Sequence, residues 1–324
     1  MVPGSPASAE PIEAIVPRRS RRWVRALKFS IGVALLVAAV WVVVQQGDAV
    51  AGAWDHARRA SPWLIVAALA LPLVNTLVIS LSFWLLNARF ARVGLGETVA
   101  LIAGAWLLNY LPLRPGLIGR IAYHRKHHGI SVKESTLVLM LSMTLSAVAI
   151  AVLLALALLR NFGGVGGAWW IWLCVPIVLS AGASAWLGAR GTIVWRIPAA
   201  LGVRYVDLLV WVARYAVVFS LVGKPLSLEQ AIGMALVSQV ALTIPLAGNG
   251  LGLREWAIGL AAGAMASGAT LTSGPDPTGL AADLVNRGFE FVVALPTGLV
   301  AIAWLARRHR RGEAAASDSD GSNA

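Results

Sequence analysis

Residues 98–130 read TVALIAGAWLLNYLPLRPGLIGRIAYHRKHHGI. The first 14 or so are apolar, yet a helix of that length rises only about 21 Å, against a hydrocarbon thickness of about 30 Å. Pro112 and Pro115 then interrupt it, removing amide donors, and Gly116 permits a turn. From Asn109 onward the stretch carries four cations (Arg114, Arg120, Arg125, Lys126) and three histidines. An apolar segment too short to cross, ending in helix breakers and charge, predicts a re-entrant hairpin bent at LPLRPG. Backbone opened at membrane depth survives only where protein or a water-filled hollow covers it, so the break is expected to line a cavity.

The remainder of the 324-residue chain supports a membrane setting. It is 58% hydrophobic and 13% charged, about half the charged share of a soluble domain, with a mean hydropathy of +0.74. Apolar runs at 29–45, 63–86, 134–159, 169–187, 207–222 and 283–305 give about six full spans. The expected fold is therefore all-α and polytopic: six spans plus two re-entrant helical hairpins. The domain division is a disordered basic tail over 1–27, a membrane domain over 28–306 and a disordered tail over 307–324. The net charge of +12 gathers beside spans, at 18–28 and in RRHRR at 307–311. That placement fits cytoplasmic anchoring and anionic lipid, not nucleic acid. Cys174 is the single cysteine, which excludes an intrachain disulfide or a cysteine-built metal site.

Charge also orients the chain. With the basic N-terminus in the cytoplasm, a full crossing by 98–111 would put the cation-rich stretch outside. A segment that dips in and returns keeps it inside and leaves both termini cytoplasmic. A second interruption, IPLAGNGLGLRE at 244–255, repeats the chemistry: Pro245 ends an apolar run, Gly248, Gly250 and Gly252 turn it, and Arg254 and Glu255 open the next helix. By the same topology it enters from the opposite side. Two broken segments of opposite direction point to an inverted-repeat transporter core.

Each break joins a helix N-terminus to an arginine, a setting that favours an anion and, through the guanidinium fork, a phosphate. Arg114, Gly116, Arg120, Gly250, Gly252, Arg254 and Glu255 are the expected substrate-binding residues, with Pro112, Pro115 and Pro245 as structural breaks. Arg214 and Arg287 fall near predicted span ends and read as anchors. His124, His127 and His128 stand among cations with no nearby carboxylate, so they read as a headgroup-facing surface rather than a metal site. Neither GVGG nor GNGLG carries the lysine of a phosphate-binding loop. No metal and no cofactor is expected.

LPLRPGLIGR and IPLAGNGLGLRE together resemble the two signature breaks of the flippase-like membrane domain of lysylphosphatidylglycerol synthase, a family that also contains archaeal proteins linked to dolichol-phosphate sugars. Pro112, Gly116 and Arg120 match the first pattern; Pro245, Gly250, Gly252, Arg254 and Glu255 match the second, more specific one. The resemblance covers nearly the whole chain. Many members have an acid just after the first glycine, where this chain has Leu117, which weakens the case for lysylphosphatidylglycerol as substrate. Only 19 residues follow Leu305, too few for the synthase's aminoacyl-transfer domain. The resemblance thus implies a stand-alone translocator of a phosphate-bearing lipid in the cell membrane, not an enzyme. The alternatives are a transferase acting on polyprenyl-phosphate sugars, which would need a paired catalytic carboxylate, and a scaffold for envelope-biosynthesis enzymes.

Overall fold

The computed structural model describes residues 59–91, 93–110, 115–163, 167–244, 250, 252–266 and 274–321, with Ser30, Ala34, Val37 and Trp41 before them; side chains are described as far as Arg308. Apart from those four residues the expected first span lies outside the described residues, as do Pro112, Arg114, Pro245 and Gly248. Among those described there are nine α-helices and no strand: α1 Pro62–Asn87, α2 Leu95–Leu108, α3 Pro115–His128, α4 Val132–Asn161, α5 Val175–Ala189, α6 Arg196–Leu221, α7 Leu228–Thr243, α8 Leu253–Ala266 and α9 Pro277–Gly321. The protein is an all-α polytopic membrane protein.

Among the described residues four helical segments have the length and apolarity to cross a membrane: Pro62–Asn87, Val132–Asn161, Trp169–Ala189 and Pro277–Arg308. Their outward faces are apolar. On α4, Leu137, Met140, Met143, Leu154 and Leu158 are all exposed, a patch that water would penalise and lipid does not. The fifth expected span, 207–222, is the C-terminal part of the longer helix α6. The stretch 196–205, expected as a connector, is its beginning. Arg196 and Arg204 gave it the look of a basic connector. Pro198 does not prevent the helix, because it sits in the first helical turn, where amides have no intrahelical partner and proline costs little. At the other end, α9 runs on to Gly321, past the expected boundary at 306, through an arginine- and alanine-rich stretch of good helix formers.

Helix α6 is the hub. It packs against α1, α4, α5, α7 and α9, and its Tyr205, Leu208, Trp211, Tyr215 and Phe219 fill the main apolar core with Ile232 and Met234 of α7 and Ile258 of α8. The short helices come in pairs, α2 with α3 and α7 with α8, each followed by a long one, α4 and α9. At 14 to 16 residues, none of the four reaches across the hydrocarbon. Capping boxes begin α4 (Ser131 with Glu134) and α7 (Ser227 with Gln230). Asp276 fastens the start of α9 by accepting from Lys224 Nζ at 3.0 Å and from the Thr278 amide at 2.7 Å. Burial alone would raise its carboxyl, but these two donors outweigh that and hold it below its ordinary value.

The first hairpin closes on Gly116. A Cβ there would lie 2.7 Å from Ala105 Cα and 2.7 Å from Asn109 Oδ1, and would overlap the Ala105 carbonyl. Gly116 therefore lets the start of α3 touch the end of α2. Gly116→Ala is expected to cost about 1–3 kcal/mol through overpacking. A melting curve in detergent checks this, with Gly119→Ala as control, since a Cβ at Gly119 meets nothing within 4 Å.

Candidate functional site

A cavity of about 400 Å³ is lined by residues of both helix pairs, α2–α3 and α7–α8, and of α1, α6 and α9. Helix α1 contributes Asn75, Thr76 and Phe83; α2 contributes Trp106; α3 Leu117 and Arg120; α6 Arg204, Trp211 and Arg214; α8 Arg254; and α9 Glu290. Among the described residues, four arginines and a single carboxylate thus face one hollow. Of the expected site residues, Arg120 and Arg254 reach it, one from each interrupted segment.

Two aromatic rings sort the arginines into pairs. The guanidinium carbons of Arg214 and Arg254 lie 4.0 and 5.7 Å from the Trp211 ring centre. Those of Arg120 and Arg204 lie 4.1 and 5.2 Å from the centre of Phe83. Cation–π contact contributes about 0.5–2 kcal/mol per cation, well short of the several kcal/mol needed to desolvate a guanidinium. The balance must come from anions, and the two ends of the cavity differ in their supply.

At the Trp211 end the charges are matched. Arg254 donates from Nε to Asp283 at 2.9 Å and from Nη1 to Glu290 at 3.0 Å. Arg214 donates to Glu290, and also to Asn286 Oδ1 at 2.8 Å and Asn75 Oδ1 at 3.0 Å. Tyr215 donates to Asp283 at 2.8 Å and Tyr110 to Glu290 at 3.2 Å. Arg254 is 1% exposed and Asp283 0%, so this is a desolvated ionic network. Two guanidiniums meet two carboxylates.

At the Phe83 end they are not. Arg204 donates to Ser142 Oγ, and its nearest carboxylate oxygen, on Asp207, is 3.9 Å away. Asp207 takes its short hydrogen bond from Asn75 instead, at 2.7 Å. Among the described residues no carboxylate lies within ion-pair distance of Arg120. Donors are also left over: Arg204 Nε and Arg254 Nη2 are buried without a hydrogen-bond partner among the described residues. Like charges beside one ring, with spare donors, make an anion site.

The remaining expected residues serve the breaks. Pro115 is the first residue of α3, where its missing amide costs nothing. Gly250 and Gly252 have φ of +65° and +80°, the left-handed region that turns the second segment back. Glu255 is fully buried but points away from its neighbour Arg254; it pairs with Arg287, not with the cavity. Consecutive helical residues diverge by about 100°, so the two charges of the RE pair serve different partners.

Three sequence expectations need correction. Arg214 is no anchor at a span end. It is the nineteenth residue of α6, 3% exposed, and lines the cavity. Arg287 is likewise an interior ion-pair partner. The histidines do have a carboxylate nearby: Glu97, in the first turn of α2, takes a 2.6 Å hydrogen bond from Tyr123 and lies 2.7 Å from His128 Nε2. That cluster ties α2 to α3, and Arg308 at 3.5 Å brings in α9. No group of three metal-ligating side chains occurs among the described residues.

Sequence reasoning did not find Glu290, Asp283 or Asp207. The signal was there in DLVNRGFEF, 283–291, where three charged residues stand inside an apolar run, since intramembrane charge is functional by default.

The family model described as "Lysylphosphatidylglycerol synthase TM region" matches residues 29–199. That range holds the first break and stops short of the second. No curated protein and no solved structure matches the chain.

Proposed function

Since the chain belongs to the lysylphosphatidylglycerol synthase transmembrane-region family, we propose that it is a translocator that moves a phosphate-bearing lipid across the cell membrane, with both termini in the cytoplasm. The observation that carries this reading is the Phe83 end of the cavity: Arg120, without a carboxylate partner among the described residues, beside the under-compensated Arg204. The headgroup enters the cavity and its phosphate bridges these two guanidiniums, while the tails stay in lipid. Arg254 is mostly taken up by Asp283 and Glu290 and, among the described residues, keeps one Nη2 donor without a partner. Leu117 lines the cavity where an acid would be needed to receive a cationic headgroup. Movement of the α2–α3 hairpin against the α7–α8 hairpin gives alternating access, driven by the membrane potential, protons or the lipid gradient.

Enzymatic transfer to or from a polyprenyl phosphate fits less well. It needs a carboxylate free to act as a base, and Glu290, Asp283 and Asp207 are each engaged by an arginine or by Asn75. The test is reconstitution. Vesicles holding the purified protein and a fluorescent phosphate-bearing lipid should let dithionite bleach more than the outer leaflet's half. Bleaching that stops at half, as in protein-free vesicles, rejects translocation.

A further inference from the structure

We infer that the cavity is built for a headgroup carrying one negative charge, a phosphodiester, and that Asp207 is the residue that sets this number. The inference rests on the reading that the cavity holds a lipid headgroup. Among the described residues, the cavity's four guanidiniums (Arg120, Arg204, Arg214, Arg254) are faced by three carboxylates: Glu290 in its wall, with Asp207 and Asp283 directly behind. The excess is one positive charge. Buried charge must be compensated nearly one for one, because each uncompensated ion in a low-dielectric site costs several kcal/mol. A phosphodiester that carries no cationic group, with a net charge of one negative, neutralises the site. A phosphomonoester with two charges leaves one negative charge in excess, and a zwitterionic or cationic headgroup leaves the excess positive charge in place or enlarges it.

Asp207 is the adjustable member. Glu290 and Asp283 grip their arginines through direct hydrogen bonds, whereas Asp207 stands 3.9 Å from Arg204 and is held instead by Asn75 Nδ2 at 2.7 Å. It therefore compensates Arg204 at a distance and leaves that guanidinium's Nε free for a guest. Asn75 also accepts from Arg214 at 3.0 Å, so one amide links the matched end of the cavity to the unmatched one. Asp207→Asn keeps the shape, removes one negative charge and raises the excess to two.

The test is competition read by native mass spectrometry, on the full chain, with phosphatidylglycerol, phosphatidic acid and phosphatidylethanolamine of identical acyl chains. At about pH 8 a phosphomonoester with a second pKa of about 6 carries two charges. The parent should retain phosphatidylglycerol over phosphatidic acid by roughly tenfold, and Asp207→Asn should reverse that order. Asp207→Glu should keep the parental order, which separates the charge from any structural role. An unchanged order in Asp207→Asn at a parental melting midpoint overturns the inference, as does a parent that prefers phosphatidic acid or binds all three equally. If Asp207→Asn does not fold, the parent's order and that of Asp207→Glu still decide. Water-soluble glycerophosphoglycerol is added as a competitor: retention of the lipid supports a lipid guest, and its displacement overturns that assignment. Translocation in vesicles with no charge preference refutes the charge rule alone, while selective binding without movement refutes the translocator alone.

Discussion

Replacing Glu290 by glutamine is expected to lower stability by about 3–5 kcal/mol, the largest effect of any single substitution in the cavity. Glu290 is 3% exposed and is shared by Arg214 and Arg254, so its loss leaves two desolvated guanidiniums facing one remaining carboxylate, Asp283. The glutamine amide matches the shape and still offers an acceptor, which isolates charge as the cause. Thermal melting in detergent reads the loss. The double variant Glu290→Gln/Arg214→Gln removes one charge of each sign and should recover a large part of it, because residues in one ion-pair network are not additive. Equal melting of parent and Glu290→Gln would mean that the network is not closed in the way its 3.0 Å Arg254–Glu290 hydrogen bond implies.

Arg120→Gln is expected to do the opposite: keep the fold and lose the transport. Arg120 forms no ion pair among the described residues, so its removal strands no buried carboxylate; what it gives up within the protein is the stacking on Phe83 at 4.1 Å. A hydrogen bond to a charged partner contributes about 1.5–3 kcal/mol, so lipid translocation should fall roughly ten- to a hundredfold while the melting midpoint stays near the parental one. Arg254→Gln should lower both, since Asp283 and Glu290 would each lose a partner. The contrast between the two arginines is the diagnostic. If Arg120→Gln translocates at the parental rate in the dithionite assay, the phosphate does not bind at the Phe83 end.

The two breaks were legible from local chemistry alone. Proline, glycine and an apolar run too short to cross mark them, and the arginine that opens each following helix turned out to face the cavity. What the sequence hid was pairing. Arg214 reaches Glu290 across 76 positions and Asn75 reaches Asp207 across 132. No spacing rule within one helix detects such partners. Arg214 was also misplaced for a local reason: Arg190, Arg196 and Arg204 make the stretch before Asp207 read as a basic connector, so the expected span begins only at Asp207. With the helix beginning at Arg196, both Asp207 and Arg214 move inside the bundle. Glu97 stands between glycines and histidine-rich partners far along the chain, and only the helix start at Gly94, the N-cap of α2, places it in a first turn facing them. The adjacent charges of the RE pair of the second break take different partners, Arg254 with Asp283 and Glu290 and Glu255 with Arg287, because helical geometry sends consecutive side chains apart.

The most direct test is a cryo-electron microscopy map of the protein in nanodiscs containing phosphatidylglycerol. Phosphate density touching both Arg120 and Arg204 beside the Phe83 ring, with Glu290 still bridging Arg214 and Arg254, is the predicted result. Phosphate bound elsewhere, or an Arg120 side chain turned out of the cavity onto a carboxylate, would contradict it.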